Sequence, residues 1–236
     1  MDNIKRIIIE ARNEILVNNN PAKAIISIIE LPENIKNNAL LKNTLALAYL
    51  ENKNYIEAAK IYYELDEKYQ AGFCELLLGN KDTARKLWFS APNSSAICWG
   101  KCLIDFINLK VGQTPSFLQI RNHLECNIGY FIQANQLVYI ENIIKCSEVL
   151  ASINLETYKF IGRALMNHNF PNLAVAYLLK SQKIVPHDPE IYFHLAQYSY
   201  QTEAYQEGKN MILKCLSLNK NFLPAKKLLE KMEEKL

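Results

Sequence analysis

Stacked helical hairpins, an all-α fold, are what this sequence predicts, and three observations predict them. Apolar frames centred on small residues recur at an interval of 34, as at Gly162 and Ala196. Glycine (7) and proline (8) are scarce among 236 residues, and no Asn-Gly or Gly-x-Gly turn separates alternating runs as sheets would require. Helix starts are written out at Asp188-Pro189-Glu190 and Asn20-Pro21. Each offers a capping side chain and a proline preset for the first turn, and Glu190 adds an acid near the positive helix end.

Taken in order from the N-terminus, the first frame is Ile8, Ala11, Ile15, Ala24, Ile28 and Pro32, with Arg12 where a small residue is preferred. The second, 34 residues on, is Leu45, Ala46, Tyr49, Tyr55, Ala58 and Tyr62. A shortened copy follows with Gly72, Ala84 and Trp88; Gly72 lies only 26 after Ala46, so a helix or turn has been trimmed. Residues 93–153 depart from the pattern. Trp99 and Gly100 open a further first helix, and Thr114-Pro115 reads as a cap and first-turn proline before SFLQIRNHLE. Gly129 to Asn154 is amphipathic helix without the small-residue frame, long enough for about one more pair. The frame returns at Tyr158, Ile161, Gly162, Leu165, Ala174, Leu178 and Pro186. It repeats at Tyr192, Leu195, Ala196, Tyr205, Gly208, Ile212 and Cys215. Ala225, Leu228 and Leu229 begin a third copy of which one helix remains. The expectation is one helical-repeat domain over 1–236: N-terminal units over 1–92, irregular helical units over 93–153, and C-terminal units with a capping helix over 154–236.

Each position has a physical task. The small residue of the first helix lets its partner approach closely, large residues before it fill the space between rods, and the small residue of the second helix takes the crossing point. Pro186 ends a second helix because the residue before proline avoids helical backbone. These spacings resemble the tetratricopeptide repeat, W-x2-L-G-x2-Y followed by A-x3-F and P. The resemblance implies an α-solenoid of about six hairpins plus a capping helix. It also implies a concave groove lined by the first helices, and an adaptor or scaffold that recognises another protein. Carried over residue by residue, it points Lys159, Arg163 and Asn167, then Phe193, Gln197 and Tyr200, then Lys227 and Lys231 into that groove. This basic and aromatic set suits an acidic segment or a C-terminal carboxylate. Lys159 falls where some relatives place a clamping lysine, whereas Arg163 and His194 stand where their asparagines would be. The N-terminal units offer Ile9, Asn13, Leu16, Asn43, Leu47 and Leu50, an apolar row suited to a partner's helix or to a second copy in a homodimer.

Several function classes are disfavoured. The formal net charge of +3 is too small to argue for nucleic acid, and the groove residues change from unit to unit, unlike a base-reading repeat. No stretch approaches the roughly 20 apolar residues needed to cross a bilayer. The opening MDNIKRIIIEARNEIL lacks a signal-peptide core, so a cytoplasmic chain with six reduced cysteines is expected. Cys98 and Cys102 lie four apart, and His123 and Cys126 three apart, which admits a zinc site or a Cys–His nucleophile in the irregular middle. The spacing is not that of a zinc ribbon or finger, and cysteine commonly packs as a small hydrophobe. Gly-rich phosphate loops, His-Glu-x-x-His and Gly-x-Ser-x-Gly are absent. No enzyme activity, metal or cofactor is therefore expected.

Overall fold

A computed structural model describes residues 2–110 and 112–236. Among them are sixteen helices and no strand. The chain divides into two compact units. The division falls between Gln113 and Thr114, inside the stretch expected to be irregular, whereas the sequence suggests one domain throughout.

The first unit holds α1 (Asp2–Leu16), α2 (Pro21–Ile29), α3 (Glu33–Lys36), α4 (Ala39–Glu51), α5 (Tyr55–Glu64), α6 (Lys68–Leu77), α7 (Lys81–Ser90) and α8 (Ser95–Ile107), together with Gln133–Gln136. Neighbouring rods pack in sequence: α1 on α2, α4 on α5, α6 on α7, with α8 against α6 and α7. Ala11, Ile15, Ala24, Ile28, Leu41 and Ala48 form the core of its first half. In its second half the indole of Trp88, fully buried on α7, fills the space between Gly72 of α6 and Gly100 of α8. A Cβ at Gly72 would sit 2.7 Å from Trp88 Cε2, and one at Gly100 2.5 Å from Cδ2. The indole Nε1 donates to the Tyr69 carbonyl at 3.2 Å. The third copy is shortened chiefly between rods: three residues separate α5 from α6, whereas nine, including α3, separate α2 from α4, and α6 itself has 10 residues against 13 in α4.

The second unit holds α9 (Phe117–Gln133), α10 (Leu137–Lys145), α11 (Ser147–Ile153), α12 (Thr157–Asn167), α13 (Pro171–Ile184), α14 (Pro189–Gln201), α15 (Tyr205–Leu218) and α16 (Leu223–Glu233). Helix α12 packs on α13, α14 on α15, and α16 closes on α15 and α14. Gly162 meets the Leu178 side chain, where a Cβ would lie 2.8 Å from Cγ. Tyr192, Ala196, Ile212, Cys215, Ala225 and Met232 form the terminal core. Helix α16 buries Ala225 and Met232 and turns its lysines and glutamates outward, as a capping rod must.

Helix α9 corrects the expected Thr114-Pro115 start. Its first turn is held by Ser116 and Gln119: Ser116 Oγ accepts from Gln119 N at 3.2 Å, and Gln119 Oε1 accepts from Ser116 N at 2.8 Å. That reciprocal pair satisfies two orphan amides at once, which Thr114 could not do, because the residue three on from it is Phe117, whose side chain cannot accept. Pro115 is buried outside the helix.

The repeat is most regular in its turns. A residue with left-handed backbone follows each first helix from α1 to α14: Asn19, Lys53, Gly79, Leu109, Asn135, Asn169 and Glu203, with φ from 51° to 84°; Asp66, at 54°, adds one after the second helix α5. Asn19 and Lys53 are 34 apart, and so are Asn135, Asn169 and Glu203 in turn. The next amide reaches back across the turn, as in Asn54 N to Tyr49 O at 2.8 Å, Phe170 N to Leu165 O at 2.9 Å and Ala204 N to Ser199 O at 2.8 Å. This six-to-one bond closes a Schellman turn. The irregular middle therefore contains a unit in phase with its successors, α9 and α10 joined through Asn135, with Phe131 and Tyr139 in edge contact at 5.7 Å.

Candidate functional site

Helix α12 carries Lys159, Arg163 and Asn167 one turn apart, so they share a face. Helix α14 starts beside them. Asp188 caps it, its Oδ1 accepting from Glu190 N at 2.9 Å, and Pro189 occupies the first turn. Capping turns the second carboxylate oxygen outward, and Lys159 Nζ lies 2.6 Å from it. The same ammonium is 2.7 Å from Glu156 Oε1 and 3.2 Å from Glu190 Oε2. Arg163 continues the chain of charges, Nη1 at 3.1 Å from Glu190 Oε2 and Nε at 3.2 Å from Glu125 Oε1 on α9. Four carboxylates thus surround two cations.

Burial makes these charges consequential. Lys159 is only 5% exposed. Burial alone would lower its pKa, but hydrogen bonds to Asp188 and Glu156, with the fields of Asp188 and Glu190, raise it and keep it charged. Glu125 is pushed up by burial, against the pull of Arg163. His194 is pushed down by burial, and its Nδ1 lies 2.7 Å from Gln197 Oε1.

The expected groove residues separate into two sets. Lys159 is inside the protein, saturated by acids, and its readiness for a partner's carboxylate is corrected accordingly: the cap of α14 already supplies that carboxylate. Phe193 packs edge-on against Phe222 at 5.2 Å, and Tyr200 against Tyr205 at 5.6 Å, both leaning on the terminal core. Arg163 and Gln197 are half-buried, and Asn167, Lys227 and Lys231 are exposed. Sequence reasoning missed the four carboxylates. Asp188 and Glu190 were legible only as a helix start. Glu125 lies 34 before Lys159, the same position one unit earlier, but nothing in the sequence marks that unit's phase.

In the first unit, Ile9 and Leu16 are exposed on α1 (60% and 66%), whereas Leu47 joins the first core and Leu50 is buried. The apolar row expected there therefore narrows to α1. Cys102 is buried, its thiol pushed up to about 12 by burial, and it donates to the Gln113 carbonyl at 3.5 Å. A thiol so placed is mostly protonated at neutral pH, which disfavours nucleophilic attack, since that needs the thiolate. Among the described residues no three His, Cys, Asp or Glu side chains are grouped to hold a metal ion, and no helix is long and apolar enough to cross a membrane.

The hairpins, their close-approach residues and the recurring turns define an all-α, tetratricopeptide-like repeat fold. No family model matches the chain, and no curated protein matches it. Solved structures similar over nearly the whole chain include the following two. The APC/C hetero-tetramer Cut9-Hcn1 aligns at 13% identity and TM-score 0.40, over 96% of this chain and 42% of that one. The P58(IPK) TPR domain aligns at 12% identity and TM-score 0.36, over 98% of this chain and 65% of that one. The chain thus spans less than two thirds of either.

Proposed function

We propose that the chain is a protein-binding adaptor or scaffold that holds an extended segment or helix of a partner on the first-helix face of its second unit. One observation carries this reading: Arg163 and Gln197 on α12 and α14 stand half-buried, with Asn167 and the α16 lysines exposed, and none is consumed by a core. Paired helices satisfy their own backbones, so such a face offers side chains for recognition. The ion network favours binding by holding the Arg163 guanidinium between Glu125 and Glu190 in advance, which lowers the ordering cost at association. An acidic or C-terminal segment of the partner would meet Lys227 and Lys231, since Lys159 is buried and already holds three carboxylates. Capture from the native host tests this. Recovery of one identified partner is expected to fall by about fivefold or more when Arg163→Ala is combined with Lys231→Glu. Equal recovery by a variant of native helicity would remove the face from consideration. Lys159 is unsuitable for the test, because charge reversal there would strand three acids and unfold the unit.

A further inference from the structure

A second surface lies within the second unit, away from the ion network. Leu137, Ile140 and Ile144 of α10 face Phe170 and Leu173 at the start of α13 across an open groove of about 340 Å3, and Glu141 is its one charged lining residue. The groove coincides with a shortened rod. Helix α10 has 9 residues before a turn at Cys146 interrupts it, where α13 and α15 run for 14. Leu137, Phe170 and Leu173 remain 48%, 39% and 44% exposed, and Val138 beside them 65%.

We infer that this groove is a docking site for an amphipathic helix of another protein, one that inserts a pair of large aliphatic side chains and carries a lysine or arginine one turn away. The walls decide the conformation of the occupant. Unlike the first-helix face, with its arginine, asparagine and glutamine, they are apolar apart from Glu141, so an extended segment laid on them would find almost no side chain to satisfy its amides and carbonyls. A helix brings its backbone already satisfied. The row Leu137, Ile140 and Ile144 is spaced to receive side chains on one helical stripe. The volume lies near the lower end of ligand pockets and suits inserted side chains rather than a whole rod. Charge decides the rest. Glu141 is held only by Lys145 on its own helix, at 2.8 Å, with both side chains more than half exposed (64% and 53%). Such a pair is weak and exchanges readily for a cation supplied from outside.

The probe is a fluorescein-labelled, alanine-based helical peptide with leucines at i and i+3 and an arginine one turn from them, followed by anisotropy with the full chain. Leu173→Glu, at an exposed position, is expected to weaken binding about tenfold or more without loss of helicity. Glu141→Lys is expected to reverse the preference, so that a peptide with glutamate in place of arginine binds better. Three results would overturn the proposal: no binding at millimolar peptide, equal binding by the same peptide interrupted by proline, or indifference to Leu173→Glu. Sedimentation without peptide separates the remaining occupant. Self-association lost in Leu173→Glu would assign the groove to a second copy and overturn the proposed partner. Neither Arg163 nor Lys231 lines this groove, so failure here leaves the first-helix face untouched.

Discussion

The Trp88 indole shows how much a single position can decide. It is buried between two glycines on different helices, and its Nε1 is hydrogen-bonded to the Tyr69 carbonyl, so the ring cannot swing aside. Gly100→Ala places a methyl against that ring and is expected to destabilise the chain by about 1–3 kcal/mol in urea melts. The cost should shrink in a Trp88→Phe background, where the ring is smaller; an unchanged cost would show that the clash lies elsewhere. Gly72, Trp88 and Gly100 are each visible in the sequence as markers of helical pairs. That one side chain fills the space left by both glycines is not, because the contact joins three rods. Lys159 teaches the same lesson with charge. Its residue type and spacing suggest a groove cation, but the acids around it come from the residue just before α12 and from the start of α14.

Among elements, legibility follows the small residues. Helices α4, α12 and α14 were readable because Ala46, Gly162 and Ala196 mark their crossings. Helices α9 and α10 were readable as helix but not as a unit in phase, because Ile128 and Ile140 stand 34 before Gly162 and Ala174 and are buried where small residues are expected. Their phase survives in the turn at Asn135, a backbone feature that residue identity does not announce. Several of these turns carry poorly suited residues. Glu203 holds φ at 61°, a conformation that strains any residue with a Cβ. Glu203→Gly is expected to raise stability by roughly 0.5–1 kcal/mol, and Glu203→Val to lower it by at least as much. Urea midpoints of the two variants should fall on opposite sides of the parent, and a shift of both in one direction would contradict the strain.

At the scale of the whole molecule, the balance of charge was readable and its placement was not. A net +3 conceals a cluster in which four acids share two cations. The division into two units was equally hidden, since the composition of 93–153 differs little from its surroundings. Burial also gives the molecule a pH dependence. His123 and His194 are both lowered from the ordinary 6.5 by burial, so the folded chain resists a proton that the unfolded chain accepts. Their contribution is complete above that value and is lost as pH falls through the lowered pKa values. Glu125, raised by burial, acts in the opposite sense nearer its ordinary 4.5. The thermal midpoint is therefore expected to drop between about pH 7.5 and pH 5.5, with a shallower drop in His194→Gln. A midpoint flat across that range would mean that neither imidazole is shielded.

The six-to-one amide bonds that close the turns put the register of the array in the main chain. Lysine, leucine, asparagine, glutamate and glycine all occupy the reversing position. Exchanging one for another alters energy but leaves the hydrogen-bond count across the turn intact. Adding or removing one residue within a helix is different in kind, because every side chain beyond it rotates by about 100°. The architecture forgives misspelling and punishes miscounting.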